Sequence, residues 1–152
     1  MVYNKNMKVL WTDGSAIPNP GKGGFAVIEV KDNKGYPVIL GNDKYTTNIK
    51  MEGQALISAI EYAGSENCEI HTDSEFWVNV LTKWAPTWEL NGWRKKSGPI
   101  KNLDLVQKLY SLYRTHNVTL KWTRGHIGTK YNEMADEWAE KARTGVKLPN
   151  QN

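Results

Sequence analysis

Cysteine is almost missing from this chain: Cys68 is the only one among 152 residues. A lone thiol excludes an internal disulfide and fits a reducing compartment. Long apolar runs are missing as well, so no stretch reads as a membrane span. The start "MVYNKNMKVLW" lacks the apolar core and cleavage site of a signal peptide. There are no internal repeats and no linker. We therefore expect a soluble, cytoplasmic protein with no membrane partner. It should form a single domain over 1-145, followed by a flexible tail at 146-152.

What is present is a globular composition. Hydrophobic residues make up 39% of the chain, with seven Trp and seven Tyr, which is more than disorder tolerates. At this length they suffice for one packed core. The net charge of +4 is local: between Lys83 and Lys101, five cations (Lys83, Arg94, Lys95, Lys96, Lys101) stand against Glu89 alone. The rest of the chain sums to zero. Such a concentration suits a surface meeting a polyanion, and a solvated basic loop would look the same.

Apolar periodicity divides the chain into β-β-β-α-β-α-(loop)-α-β-α. Strands are read at "KVLWT", "GGFAVIEVKD", "YPVILGNDKYT", "CEIHTD" and "VTLKWTR", with a hairpin turn at Asp32-Asn33-Lys34-Gly35. Helices are read from Glu52 to Gly64, over "SEFWVNVLTKW" with Ser74 as N-cap, over "NLDLVQKLYSLYRTH" and over "NEMADEWAEKAR". "APTWELNGWRKKSGP", bounded by Pro86 and Pro99, is irregular and basic, a protruding loop over about 84-101 with room for a short helix. The order implies an α/β fold with a five-stranded mixed sheet flanked by helices. Right-handed crossovers would set the first and fourth strands side by side, with Asp13 and Asp73 at adjacent strand ends.

Four acids occupy awkward boundaries: Asp13 and Asp73 at strand ends, Glu52 opening a helix, and Asp136 early in the last helix. Each has a plainer reading, as a turn residue, a cap, a complement to a helix N-terminus or a solvated surface acid. If they converge, a partly buried cleft cannot keep all four ionised without a cation. Hard divalent ions with oxygen ligands resolve that repulsion, and two ions sharing a carboxylate suit in-line phosphoryl displacement.

In order along the chain stand "TDGSAIPNPGKGG", "TTNIKME", "TDSEFW", "RGHIG" and "NEMADEWA", with the basic insertion between the third and fourth. In this respect the chain resembles type 1 ribonuclease H from about Lys8 to Arg143. The resemblance implies a ribonuclease H-like fold (βββαβααβα) and hydrolysis of the RNA strand of RNA–DNA hybrids, leaving 5′-phosphate and 3′-hydroxyl ends. It implies two Mg²⁺ ions, replaceable by Mn²⁺, held by Asp13, Glu52, Asp73 and Asp136. It puts the family's mobile catalytic histidine on His126, between Gly125 and Gly128. Contacts to the RNA strand fall on Asn19 and Asn48, and a phosphate pocket for the DNA strand falls on Thr47 and Asn102. Trp84 and Trp88 line a channel for the DNA strand.

From the residues, Trp84, Trp88 and Trp93 beside Arg94-Lys95-Lys96 suit a stacking platform for nucleic acid, whereas Trp122 and Trp138 belong to a core. His71 and His116 match no motif and are read as structural. Departures from the family pattern are Tyr45, Ile49, Lys50 and Glu75, which bear on substrate contact rather than chemistry. Two other readings share some of these features: a DNA-cutting resolvase or integrase of the same fold class, and a non-catalytic hybrid-binding module. The "TTN" and "NPG" motifs separate hybrid cleavage from the first, and the intact carboxylates separate it from the second. We expect a monomer with no obligatory protein partner.

Overall fold

The sheet begins with β1 (Lys8–Ala16) and β2 (Gly21–Lys31), antiparallel, with Asp13 opposite Ala26. The computed structural model describes residues 7–124 and 130–149. β2 turns through Asp32 and Asn33 into β3 (Lys34–Thr46). These two residues hold φ of 52° and 63°, the left-handed pair whose twist suits a two-residue hairpin. Gly35, expected in the turn, instead pairs with Val30 inside β3. β4 (Cys68–Thr72) runs parallel to β1, and β5 (Val118–Trp122) runs parallel to β4. The resulting order, β3-β2-β1-β4-β5, is the expected five-stranded mixed sheet with first and fourth strands adjacent.

Asp13 lies inside β1 and not at its end, because the β2 ladder supports β1 as far as Ala16. On the other side the pairing with β4 stops at Trp11 opposite His71. Asp13 therefore stands where β1 has just lost its parallel neighbour, and Asp73 is the first residue after β4. A crevice at the carboxyl ends of parallel strands is where such sheets accommodate ligands.

Alternation sends side chains to two layers. Leu10 and Val27 join Leu56, Ile60, Trp77 and Leu109 in the larger core, beneath α1 (Asn48–Ala63), α2 (Glu75–Asn79) and α4 (Leu103–Thr115). Trp11, Ala26 and Ile28 face the other way, onto Ala135 and Ala139 of α5 (Lys130–Arg143). Trp77 is the largest fully buried side chain, and its indole N–H donates to the Ile49 carbonyl at 2.8 Å, pinning the first turn of α1.

Two helix boundaries differ from the periodicity. α1 starts four residues before Glu52, because the Thr47 hydroxyl accepts the Lys50 N–H at 3.1 Å and caps the helix there. After α2, Val80–Trp84 widens into a π-helical turn in which the Ala85 N–H reaches the Val80 carbonyl, and α3 (Ala85–Leu90) follows. Pro86 has no N–H to continue an α-helical ladder, and the wider turn seats it in the first turn of a new helix. The short helix for which the protruding segment had room is thus α3.

Tryptophan placement also differs. Trp138 packs against both smaller clusters, as expected. Trp122 does not join the core: it is 43% exposed, since it is the last residue of β5, an edge strand. Trp93 is half-buried, with its ring edge-on to Tyr110 at 6.1 Å, so it belongs to a packed contact and not to an open platform.

Candidate active site

Asp13 is 7% exposed, and its carboxylate has been carried to the crevice by the strand. Glu52 reaches the same place because α1 packs directly on β1. A Cβ added to Gly14 would stand 2.4 Å from the Met51 carbonyl carbon and 2.6 Å from the Glu52 nitrogen. Only a residue without a side chain allows that approach. Asp73 arrives from the end of β4, followed by Ser74, whose Oγ accepts the Trp77 N–H at 3.2 Å and caps α2. One ligand oxygen from each of Asp13, Glu52 and Asp73 lies within 4.8 Å of the others.

Asp136 comes from α5. That helix lies close on β2, where a Cβ at Gly24 would meet the Arg143 nitrogen at 2.3 Å and the Ala139 carbonyl oxygen at 2.5 Å. Asp136 is exposed and stands close enough to Asp13 to raise its proton affinity. Three of the four expected acids therefore share one cluster, with Asp136 a neighbour of Asp13. His126 lies outside the described residues.

The crowding registers as proton affinity. Burial, then the charge of Asp73, the hydrogen bond to Asp136 and the charges of Asp136 and Glu52, push the Asp13 carboxyl up to about 9. Burial and the charge of Asp73 raise Glu52 to about 7, against a hydrogen bond from Ser74 that lowers it. A carboxyl group with these neighbours takes up either a proton or a cation. Three oxygen donors within reach of one another, two of them short of full ionisation at neutral pH, fit a hard divalent ion well.

A pH-dependent prediction follows from Asp13. Its proton affinity in the fold exceeds the ordinary 3.8, so the folded protein binds a proton that the unfolded chain has released. That contribution is complete below about 3.8 and is lost as pH rises towards about 9. Without divalent ions, Asp13→Asn should match the native protein near pH 4 and exceed it by at least about 2 kcal/mol at pH 8. Thermal melts in EDTA across that range check this. A gap that fails to widen with pH would contradict it.

Four of the expected nucleic-acid contacts, Asn19, Thr47, Asn48 and Asn102, gather at the start of α1, one turn before Glu52. The Asn48 Oδ1 accepts the Ala16 N–H at 2.7 Å, and the Asn19 Oδ1 accepts the Asn48 N–H at 3.1 Å. Both amide oxygens are committed to the fold, so each side chain offers a ligand its NH₂ donors. Asn19, Thr47 and Asn102 line one open cavity together with Lys50 and Lys101. Asn102 precedes α4 in a left-handed conformation (φ 56°), and its side chain makes no capping hydrogen bond. Trp84, 40% exposed, and half-buried Trp88 lie 6.1 Å apart across the π-helical turn and α3.

Other contacts have no local signature. The Trp122 indole N–H donates to the Asp73 carbonyl at 3.3 Å, and the Thr123 N–H donates to Thr72 at 2.8 Å, so β5 holds the peptide that presents Asp73. The Ser74 bond to Glu52 is equally invisible in sequence, where Ser74 reads only as a cap. His71 stacks on Trp11 at 4.1 Å beside Glu69, and His116 bonds the Leu112 carbonyl at 2.9 Å.

Comparison with known proteins agrees with this architecture. The sequence pattern of the RNase H family matches residues 5–144. A "Ribonuclease H" of Granulibacter bethesdensis is 40% identical over 146 residues, covering 94% of this chain and 96% of that protein. A "Ribonuclease H" of Ehrlichia canis is 41% identical over 133 residues, covering 86% and 90%. Among solved structures, LC9-RNase H1, described as a type 1 RNase H with the type 2 active-site motif, superposes with a TM-score of 0.77 at 28% identity. That superposition covers 98% of this chain and 77% of the other. Strand order, helix placement and the match through nearly all of the sequence lead to one assignment: the chain belongs to the ribonuclease H family of enzymes.

Proposed function

We propose that this enzyme hydrolyses the RNA strand of RNA–DNA hybrids by a two-metal mechanism, with Mg²⁺ as the ion, replaceable by Mn²⁺. The observation that carries the reading is the cluster of Asp13, Glu52 and Asp73, with Asp136 a neighbour of Asp13, on a fold whose α1 also lines a cavity with Lys50. Those four acids would hold the ions. When bound, the ions supply Lewis acidity for in-line displacement at a phosphodiester, leaving 5′-phosphate and 3′-hydroxyl ends.

The chain's own groups do the rest. Asp13 gives up the proton that crowding favours when a cation takes its place. Asn19 and Asn48 direct NH₂ donors at the shallow minor groove, where a 2′-hydroxyl distinguishes RNA from DNA. Thr47 and Asn102 hold a phosphate of the DNA strand, at the N-terminal end of α4 where the helix dipole favours an anion. Trp84 and Trp88 provide apolar faces, and the neighbouring cations add salt-dependent affinity without sequence preference. His126, in its glycine-flanked segment, assists proton transfer or release of the product.

We read residues 1-145 as one catalytic domain with its protrusion at about 84-101, acting as a monomer in the cytoplasm, with 146-152 as a tail. No helix among the described residues is long and apolar enough to cross a membrane. The decisive experiment offers labelled RNA–DNA hybrid, duplex DNA and duplex RNA, each with Mg²⁺ and with EDTA. Cleavage is expected only of the hybrid, only with the metal. Preference for duplex DNA, or cutting in EDTA, would sink the proposal.

A further inference from the structure

The protrusion is fastened to α4 by contacts that the carboxylate crevice does not use. Arg114, in the last turn of α4, donates through Nη1 to both oxygens of Glu89 on α3, at 2.8 and 3.1 Å, across 25 residues of sequence. The same guanidinium lies 5.3 Å from the centre of the Tyr110 ring, against which Trp93 packs edge-on. Trp93 holds φ of 63°, which a bulky side chain ordinarily avoids, and its N–H donates to the Trp88 carbonyl at 2.6 Å. The reversal that leads into Arg94-Lys95-Lys96 is therefore held in place by burial against α4.

Charge gives the ion pair a second consequence. Glu89 is the only acid between Lys83 and Lys101. A polyanion approaching these cations would meet its negative charge unless something neutralised it, and Arg114 does so from the neighbouring helix.

We propose that Glu89 and Arg114 are positioning residues for hybrid binding: their ion pair holds α3 and the Trp93 turn against α4 and screens the protrusion's one acid from the phosphates. This rests on the reading that the protrusion binds the hybrid. Exposed ion pairs contribute little to global stability, so the effect falls on orientation and local field.

The test is a double-mutant cycle read on cleavage of hybrid with KM and kcat separated. Arg114→Glu sets two carboxylates face to face and should raise KM about tenfold, with kcat within about twofold and the melting temperature nearly unchanged. Adding Glu89→Arg rebuilds the pair in reverse at the original net charge and should return KM to within about twofold of native. Lys108→Glu, an exposed reversal on the same helix, measures long-range repulsion alone.

Glu89→Arg should improve the Arg114→Glu background at least about fivefold more than the Lys108→Glu background. Equal improvement in both, no restoration, or an unchanged KM in Arg114→Glu overturns the proposal. Trp84→Ala separates the two levels. If it raises KM while Arg114→Glu does not, the ion-pair assignment alone fails. If both leave KM unchanged, hybrid binding by the protrusion fails with it.

Discussion

Asp73→Asn should lose cleavage by roughly a thousandfold or more, equivalent to about 4 kcal/mol in the barrier, while keeping its grip on the hybrid. Asp73 is the acid whose charge acts on both neighbours, raising Asp13 and Glu52 alike. It is also one of the three whose oxygens lie within 4.8 Å of each other. Its amide would keep the shape but remove a negative ligand, so the crevice would bind cations more weakly. Hybrid affinity in Ca²⁺ or EDTA should hold within about threefold, or tighten, because the phosphates meet one negative charge fewer. Single-turnover cleavage and fluorescence anisotropy measure the two separately. Cleavage within tenfold of native would remove Asp73 from the ligand set, and a parallel loss of binding would point to misfolding.

The second large effect is expected of Gly14→Ala, which adds one methyl group and no charge. All three atoms nearest the new carbon belong to the α1 backbone, at 2.4 to 2.6 Å, so no side-chain rotation relieves the collision. β1 and α1 must move apart by about an ångström, at a cost of about 3 kcal/mol. The same movement separates Asp13 from Glu52, and a misplacement of that size is expected to lower kcat about a hundredfold. Gly35→Ala is the control: its new carbon would meet the Met134 sulfur at 2.6 Å, the far end of a flexible side chain. It should cost less than about 1 kcal/mol and leave cleavage intact. Melting curves and kcat for the pair check this, and a mild Gly14→Ala would mean that the close contact does not govern the site.

Much of the architecture is legible in local patterns. Alternation marks the five strands, helical spacing marks the covering helices, and Ser74 announces the start of α2. Reading goes wrong where a partner outside the local window decides. Asp13 looks terminal because the apolar run ends there, yet β2 carries β1 on to Ala16. Thr47 opens α1 although the apolar periodicity begins later, because a hydroxyl cap needs no apolar residue. Trp122 carries the large apolar ring of a core residue and sits exposed, since the edge of the sheet offers it no second layer. Trp93 sits among polar and basic neighbours and packs on Tyr110, a residue of α4.

By itself, then, the sequence determined which elements form and which residue types each carries, because propensity, capping and burial period act over a few residues. That includes a concentration of cations with one acid among them, and carboxylates near the ends of strands and the starts of helices. Only the tertiary structure decided how close those carboxylates come, and how strongly they favour a proton or a cation. It also decided which glycine permits the approach, and that Glu89 is answered by Arg114. Proximity between residues far apart in the chain is created by packing, and the electrostatics of a site follow distance in space.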